Sequence, residues 1–134
     1  MNGHDAQIAR HESLHAAASF TYGRRLDGIF RWKHGGGTSS FPDEGGSHDI
    51  ARLGVEAGII TIVPFLNCAV GAADDLRVLE GLVLAGVPLS AIWSEASMLL
   101  EDPTFRRRAR AVEFALYEHT LLSGEETELI IAAA

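Results

Sequence analysis

Cysteine is almost missing from this chain: Cys68 is the only one in 134 residues. That excludes an intrachain disulfide and any zinc cluster built on several thiolates. Positive charge is also scarce, with 11 Lys and Arg against 18 Asp and Glu, for a formal net charge of −7. Phosphate recognition needs a basic face, so nucleic acid is not an expected partner. One basic cluster exists, Arg106, Arg107, Arg108 and Arg110, but Glu101, Asp102 and Glu113 flank it. It reads as a solvated, salt-bridged helix face. Long apolar runs are absent too. The most apolar stretch, 53–73, is interrupted by Glu56 and Pro64 and carries Gly54, Gly58 and Gly71, which suits a core helix plus loop better than a membrane span. Nothing near Asp5 and Arg10 resembles the apolar core of a secretory signal. The expectation is a cytoplasmic protein without a membrane partner, folded as one domain over 1–134.

Against that plain background one pattern stands out. Residues 11–15 read His-Glu-Ser-Leu-His, an H-E-x-x-H pentapeptide. On a helix, positions i and i+4 share a face, so His11 and His15 can direct two imidazoles at one ion. Glu12 falls about 100° round the helix from His11. Its carboxylate is then beside the ion, where it can take a proton from the water that a metal activates. With six His and eleven Glu, random placement would produce this pattern in roughly 2 of 100 such chains, so context has to decide. The context is helical: Asp5 offers an N-cap, 6–22 contains neither Pro nor Gly, and Gly23 supplies a stop. Ile8, Leu14, Ala18 and Phe20 supply apolar contacts, and Ala16, Ala17 and Ala18 allow another element to approach closely.

The remaining elements follow from local signals. Segment 26–33 has strand character through Ile29, Phe30 and Trp32, and 38–41 suits a short returning strand. Gly35, Gly36 and Gly37 between them lack the Lys-Ser/Thr of a phosphate cradle and read as a turn. Helices are expected over 47–63, from Asp74 or Asp75 to about Gly86, from Ser90 to Glu101, from Asp102-Pro103 to Leu122, and from a capping box at Ser123 and Glu126 onward. The second of these, starting at Asp74 or Asp75, should turn Leu76, Val78, Leu79, Leu82 and Val83 inward. The fold class expected is mainly α (α+β), a zincin-like helical domain with a small β element after the first helix.

Catalytic zinc uses three protein ligands and an open position. A metzincin extension is excluded, because its Gly would fall at Ala18 and its third His at Thr21. Glu56 and Glu80 are candidates of the gluzincin kind. Asp75 follows Gly71, Ala72, Ala73 and Asp74 at a helix start, where the dipole favours a carboxylate. Asp74 and Asp75 serve equally well as ordinary N-cap residues, so the residues alone leave the third ligand open.

The run His11-Glu12-Ser13-Leu14-His15-Ala16, then Gly23, a strand, a Gly-rich loop and Gly71-Ala72-Ala73-Asp74-Asp75-Leu76, resembles the peptidase domain of the FtsH family over nearly the whole chain. In that family H-E-x-G-H-A supplies two zinc ligands and the general base, and a later G-A-x-x-D-[LI] segment supplies an Asp ligand. The resemblance implies Zn2+ held by His11, His15 and Asp75, with Glu12 as general base. Leu14 stands where the family has Gly, which implies different packing beside the metal helix. The 134 residues include no ATPase module or membrane anchor, so proteolysis is expected on peptides or already unfolded segments, or with a separate unfoldase or self-association. A substrate could add in extended form along Ile29, Phe30, Arg31 and Trp32 if that strand is an exposed edge; core packing of Phe30 and Trp32 is the competing reading. The alternative function is a catalytically silent zinc-binding adaptor, whose four closed ligands would recruit His34 or His48. A non-peptide hydrolase is a third reading. His4, His34, His48 and His119 are otherwise expected on the surface or in loops.

Overall fold

The computed structural model describes residues 3–23, 28–31, 37–40 and 73–134. The helix expected over 47–63, Cys68, Trp32, His34 and His48 lie outside the described residues. What is described is mainly helical, with a small antiparallel sheet, as the patterning implied.

Helix α1 spans Gly3–Thr21. It begins two residues before Asp5, which therefore lies in its first turn instead of capping it; nothing in Gly3 or His4 breaks the helical backbone. Gly23 ends it at φ +73, a left-handed conformation that glycine adopts without a Cβ clash. From Ile8 to Ser19 every residue but Arg10 is buried. A helix enclosed on nearly all sides is a central element of its domain.

Strand β1 (Gly28–Arg31) pairs antiparallel with β2 (Gly37–Ser40) on one side and β3 (Leu121–Ser123) on the other. Ile29 stands opposite Leu122, and both are buried against α1 and the helices that follow. Gly28 explains how closely β3 can approach: a Cβ there would lie 3.0 Å from the Leu122 carbonyl oxygen. Strand β3 corrects the expectation that the preceding helix continues to Leu122. That helix stops at His119, and the chain reverses at Thr120, with φ 51. A positive φ on a β-branched residue is uncommon, so no local signal announces the turn. The Thr120 N–H donates to the Leu116 carbonyl at 3.0 Å and closes the helix end.

Four further helices complete the description: α2 (Ala73–Leu84), α3 (Leu89–Glu101), α4 (Pro103–His119) and α5 (Gly124–Ala133). Gly86, at φ +98, ends α2 with a two-bond cap, Val87 N–H to Leu82 O at 3.0 Å and Gly86 N–H to Val83 O at 3.1 Å. Val87 then packs on Leu79 and Ile92, which closes an α2–α3 hairpin. Of the residues expected inward on α2, Leu79 and Leu82 are buried, whereas Val83 is 41% exposed. It lies next to Leu82 in sequence, about 100° away on the helix, and turns toward solvent. The side chains of Leu76 and Val78 lie outside the described residues. Asp102 accepts from the Thr104 N–H at 3.0 Å, with Pro103 in the first turn, to start α4. Ser123 and Glu126 form the reciprocal capping box at 3.0 and 3.3 Å.

Two apolar clusters meet along α1. Leu14, Ala17 and Ala18 pack with Ala96 and Leu99 of α3 and Phe105 and Ala109 of α4. Ala9 and Ala16 join Ile29, Val112, Leu116, Leu122 and Ile131. The alanines let neighbouring backbones come close at interior density. The basic cluster on α4 is only partly the solvated face expected from sequence: Arg106, Arg107 and Arg110 are exposed, but Arg108 is half-buried, its guanidinium 5.2 Å from the Phe20 ring centre. Glu113 pairs with Arg10 of α1 at 3.2 Å, outside that cluster. Among the described residues no helix is long and apolar enough to cross a membrane.

Candidate metal centre

Helix periodicity divides the circumference of α1. Ala17 points about 20° from Ala6, while His11 and His15 lie about 140° and 180° from it and Glu12 about 240°. Leu14 and Ala18 belong to one apolar cluster and Ala9 and Ala16 to the other. The two histidines and the glutamate thus occupy the sector between the clusters, on the side away from Ala6.

All three are buried: His11 is 3% exposed, Glu12 5% and His15 8%. The imidazole centres are 5.0 Å apart with planes at 61°. Two imidazoles bound through nitrogen to one tetrahedral ion at 2.0–2.1 Å hold their ring centres roughly 5 Å apart, so the observed pair fits two ligands of one zinc. Glu12 Oε1 lies 3.9 Å from His11 Nε2, too far for a hydrogen bond to that nitrogen. Two imidazole nitrogens with a carboxylate beside them suit a borderline ion such as Zn2+. The cost of burying a carboxylate is also reduced by a cation at the same place.

The helix itself is braced. The Ser19 hydroxyl donates to the His15 carbonyl at 2.8 Å and the Ser13 hydroxyl to the Arg10 carbonyl at 2.8 Å, which satisfies two buried hydroxyls without leaving the helix. The Arg10–Glu113 pair ties α1 to α4 one residue before His11. Sequence reasoning missed this tie, because nothing local links positions 10 and 113.

Of the other sequence candidates, Asp75 lies in the first turn of α2, where the helix start was expected; its side chain is outside the described residues. Among the described residues no third donor completes a three-ligand group with the histidine pair. Glu80 is exposed on α2, and Glu56 lies outside the described residues. His119 is exposed, as expected. The substrate strand needs a correction. Strand β1 is the middle strand, paired with β2 and β3, so Gly28, Ile29 and Phe30 offer no free backbone edge. Ile29 is fully buried. Arg31 pairs with Gly37, and the side chains of Phe30 and Arg31 lie outside the described residues. The reason is β3, a strand contributed from the far end of the chain that no pattern near residue 29 could signal.

Neither a protein-family model, nor a curated protein, nor a solved structure matches this chain.

Proposed function

We propose that this chain is a zinc-dependent peptidase of the FtsH type, hydrolysing peptide bonds in peptides or unfolded segments. The observation that carries the reading is the convergence of His11, Glu12 and His15 on one buried sector of α1, with ring centres 5.0 Å apart. His11 and His15, together with Asp75, would hold the ion. A zinc ion held there would acidify a bound water and polarise the scissile carbonyl. Glu12 accepts a proton from the attacking water and returns it to the leaving amine nitrogen. Its burial excludes bulk water, which strengthens each charge interaction in the step. The Ser19 hydroxyl and the Arg10–Glu113 tie hold α1 in register, so the imidazole pair keeps its spacing. The cytoplasm is the proposed compartment, given a single cysteine and an acidic composition.

The test is hydrolysis of a fluorogenic unfolded protein by zinc-loaded wild type and by Glu12→Gln. Turnover should fall by roughly 10²–10⁴-fold in the variant, the range a positioned general base contributes. Background signal from both would overturn the peptidase reading for the isolated chain and leave the zinc-binding adaptor.

A further inference from the structure

On the side of α1 away from the histidines, a groove of about 330 Å³ opens between α1 and α4. Its walls have different characters. From α4 come Arg110, Glu113, Phe114 and Tyr117, which at i, i+3, i+4 and i+7 form one stripe. From α1 come Ala6 and Ala9, too small to fill the space those long side chains leave, together with Arg10. The groove exists because of that mismatch in size.

Its charge is also uneven. Arg10 and Glu113 neutralise one another at 3.2 Å. Arg110 is exposed and makes no hydrogen bond or ion pair among the described residues. Among the described lining residues, Arg10, Arg110 and Glu113 leave one surplus positive charge, in a chain of net charge −7. One turn along from Arg110, Phe114 leaves 67% of its surface in water, and Tyr117 lies half-buried beside it. A guanidinium fork suits a single carboxylate, and the adjoining rings suit an apolar body held next to it. The volume is at the small end for ligand sites, enough for one or two residues of a peptide.

We propose that this groove binds a carboxylate attached to an aromatic or branched apolar side chain, the chemistry shared by a peptide C-terminus and an N-blocked amino acid. The carboxylate pairs with Arg110, and the side chain lies on Phe114 and Tyr117 above Ala6 and Ala9. The site is separate from His11 and His15, which project about 140° and 180° from Ala6 around α1. It does not rest on the peptidase reading, since it needs neither zinc nor Glu12.

Titration of the metal-chelated protein by NMR tests it, with N-acetyl-phenylalanine as probe and its amide as control. The acid should bind with a dissociation constant on the order of 1 mM, as its small size allows, and the amide at least about 10-fold more weakly. Arg110→Gln and Phe114→Ala should each weaken the acid by about 10-fold. Both positions are exposed, so the far-UV circular dichroism should be unchanged. A hexapeptide ending in Phe, with free or amidated C-terminus, separates the two sources. Tighter binding than N-acetyl-phenylalanine assigns a peptide tail, and equal binding assigns a single residue. Equal affinity for acid and amide, undiminished binding by Arg110→Gln, or no saturation up to about 10 mM would overturn the proposal.

Discussion

Zinc should stabilise this protein by an amount that depends strongly on His15 and less on Glu12. A ligand bound only by the folded state adds RT ln(1 + [L]/Kd), which at free zinc 100 times Kd is about 2.7 kcal/mol. For 134 residues an unfolding entropy of about 0.28 kcal/mol/K converts this to a rise in Tm of about 10 °C. His15→Ala removes one of two imidazoles whose centres are 5.0 Å apart. If that weakens the site about 100-fold, the same zinc concentration adds only about 0.4 kcal/mol, or about 1.5 °C. Glu12 lies 3.9 Å from His11 Nε2 and is not itself a donor in this arrangement. An outer partner is worth about 10-fold in affinity at the lower end, so Glu12→Gln should keep about 1.4 kcal/mol, or about 5 °C. Differential scanning calorimetry in zinc buffers, referenced to each variant without metal, reads all three. Equal shifts in wild type and His15→Ala, or none in either, would refute the reasoning, whatever the proteins do to a substrate.

Other expectations concern the turns that place the sheet. Gly28→Ala puts a Cβ 3.0 Å from a backbone carbonyl that cannot swing aside, so it should cost about 1–3 kcal/mol in a urea titration. Thr120→Gly relieves a β-branched residue at φ 51 and should raise stability by about 0.5–1 kcal/mol, seen as a Tm gain of about 2–4 °C. Ser123→Ala removes the side chain that accepts from Glu126 N–H at 3.0 Å and should cost about 1 kcal/mol by the same titration.

The parts legible in the sequence were those with a local cause. Asp102-Pro103 starts a helix because a carboxylate caps it and proline needs no partner for its missing N–H. Gly86 stops one because glycine alone turns left-handed at little cost, and Ser123 with Glu126 is a capping box by type and spacing alone. The histidine pair belongs to the same category, since four residues along a helix is a local distance. The misses share the opposite property. Strand β3 lies more than ninety positions from β1 in the chain and depends on an unusual threonine conformation. That strand turned the expected substrate edge into the middle of a sheet. The Arg10–Glu113 tie and the stacking of Arg108 on Phe20 likewise join α1 to α4 across most of the chain.

Helix α1 is therefore under two demands. As the central element it must let α3, α4 and the sheet approach closely, and its alanines do that. Yet His11, Glu12 and His15 sit inside the same helix, where apolar side chains of similar size would avoid the desolvation cost of polar groups. Packing alone gives no reason to keep three ionisable residues in one sector when the sectors on either side are apolar. The proposed cation would supply such a reason, because it would offset the cost of the carboxylate. A general base supplies a reason for the glutamate in particular, since a purely structural ion held by imidazoles has no use for an acid beside them. On the proposed reading, the burial of Glu12, more than that of the histidines, would separate a hydrolytic centre from a zinc clip.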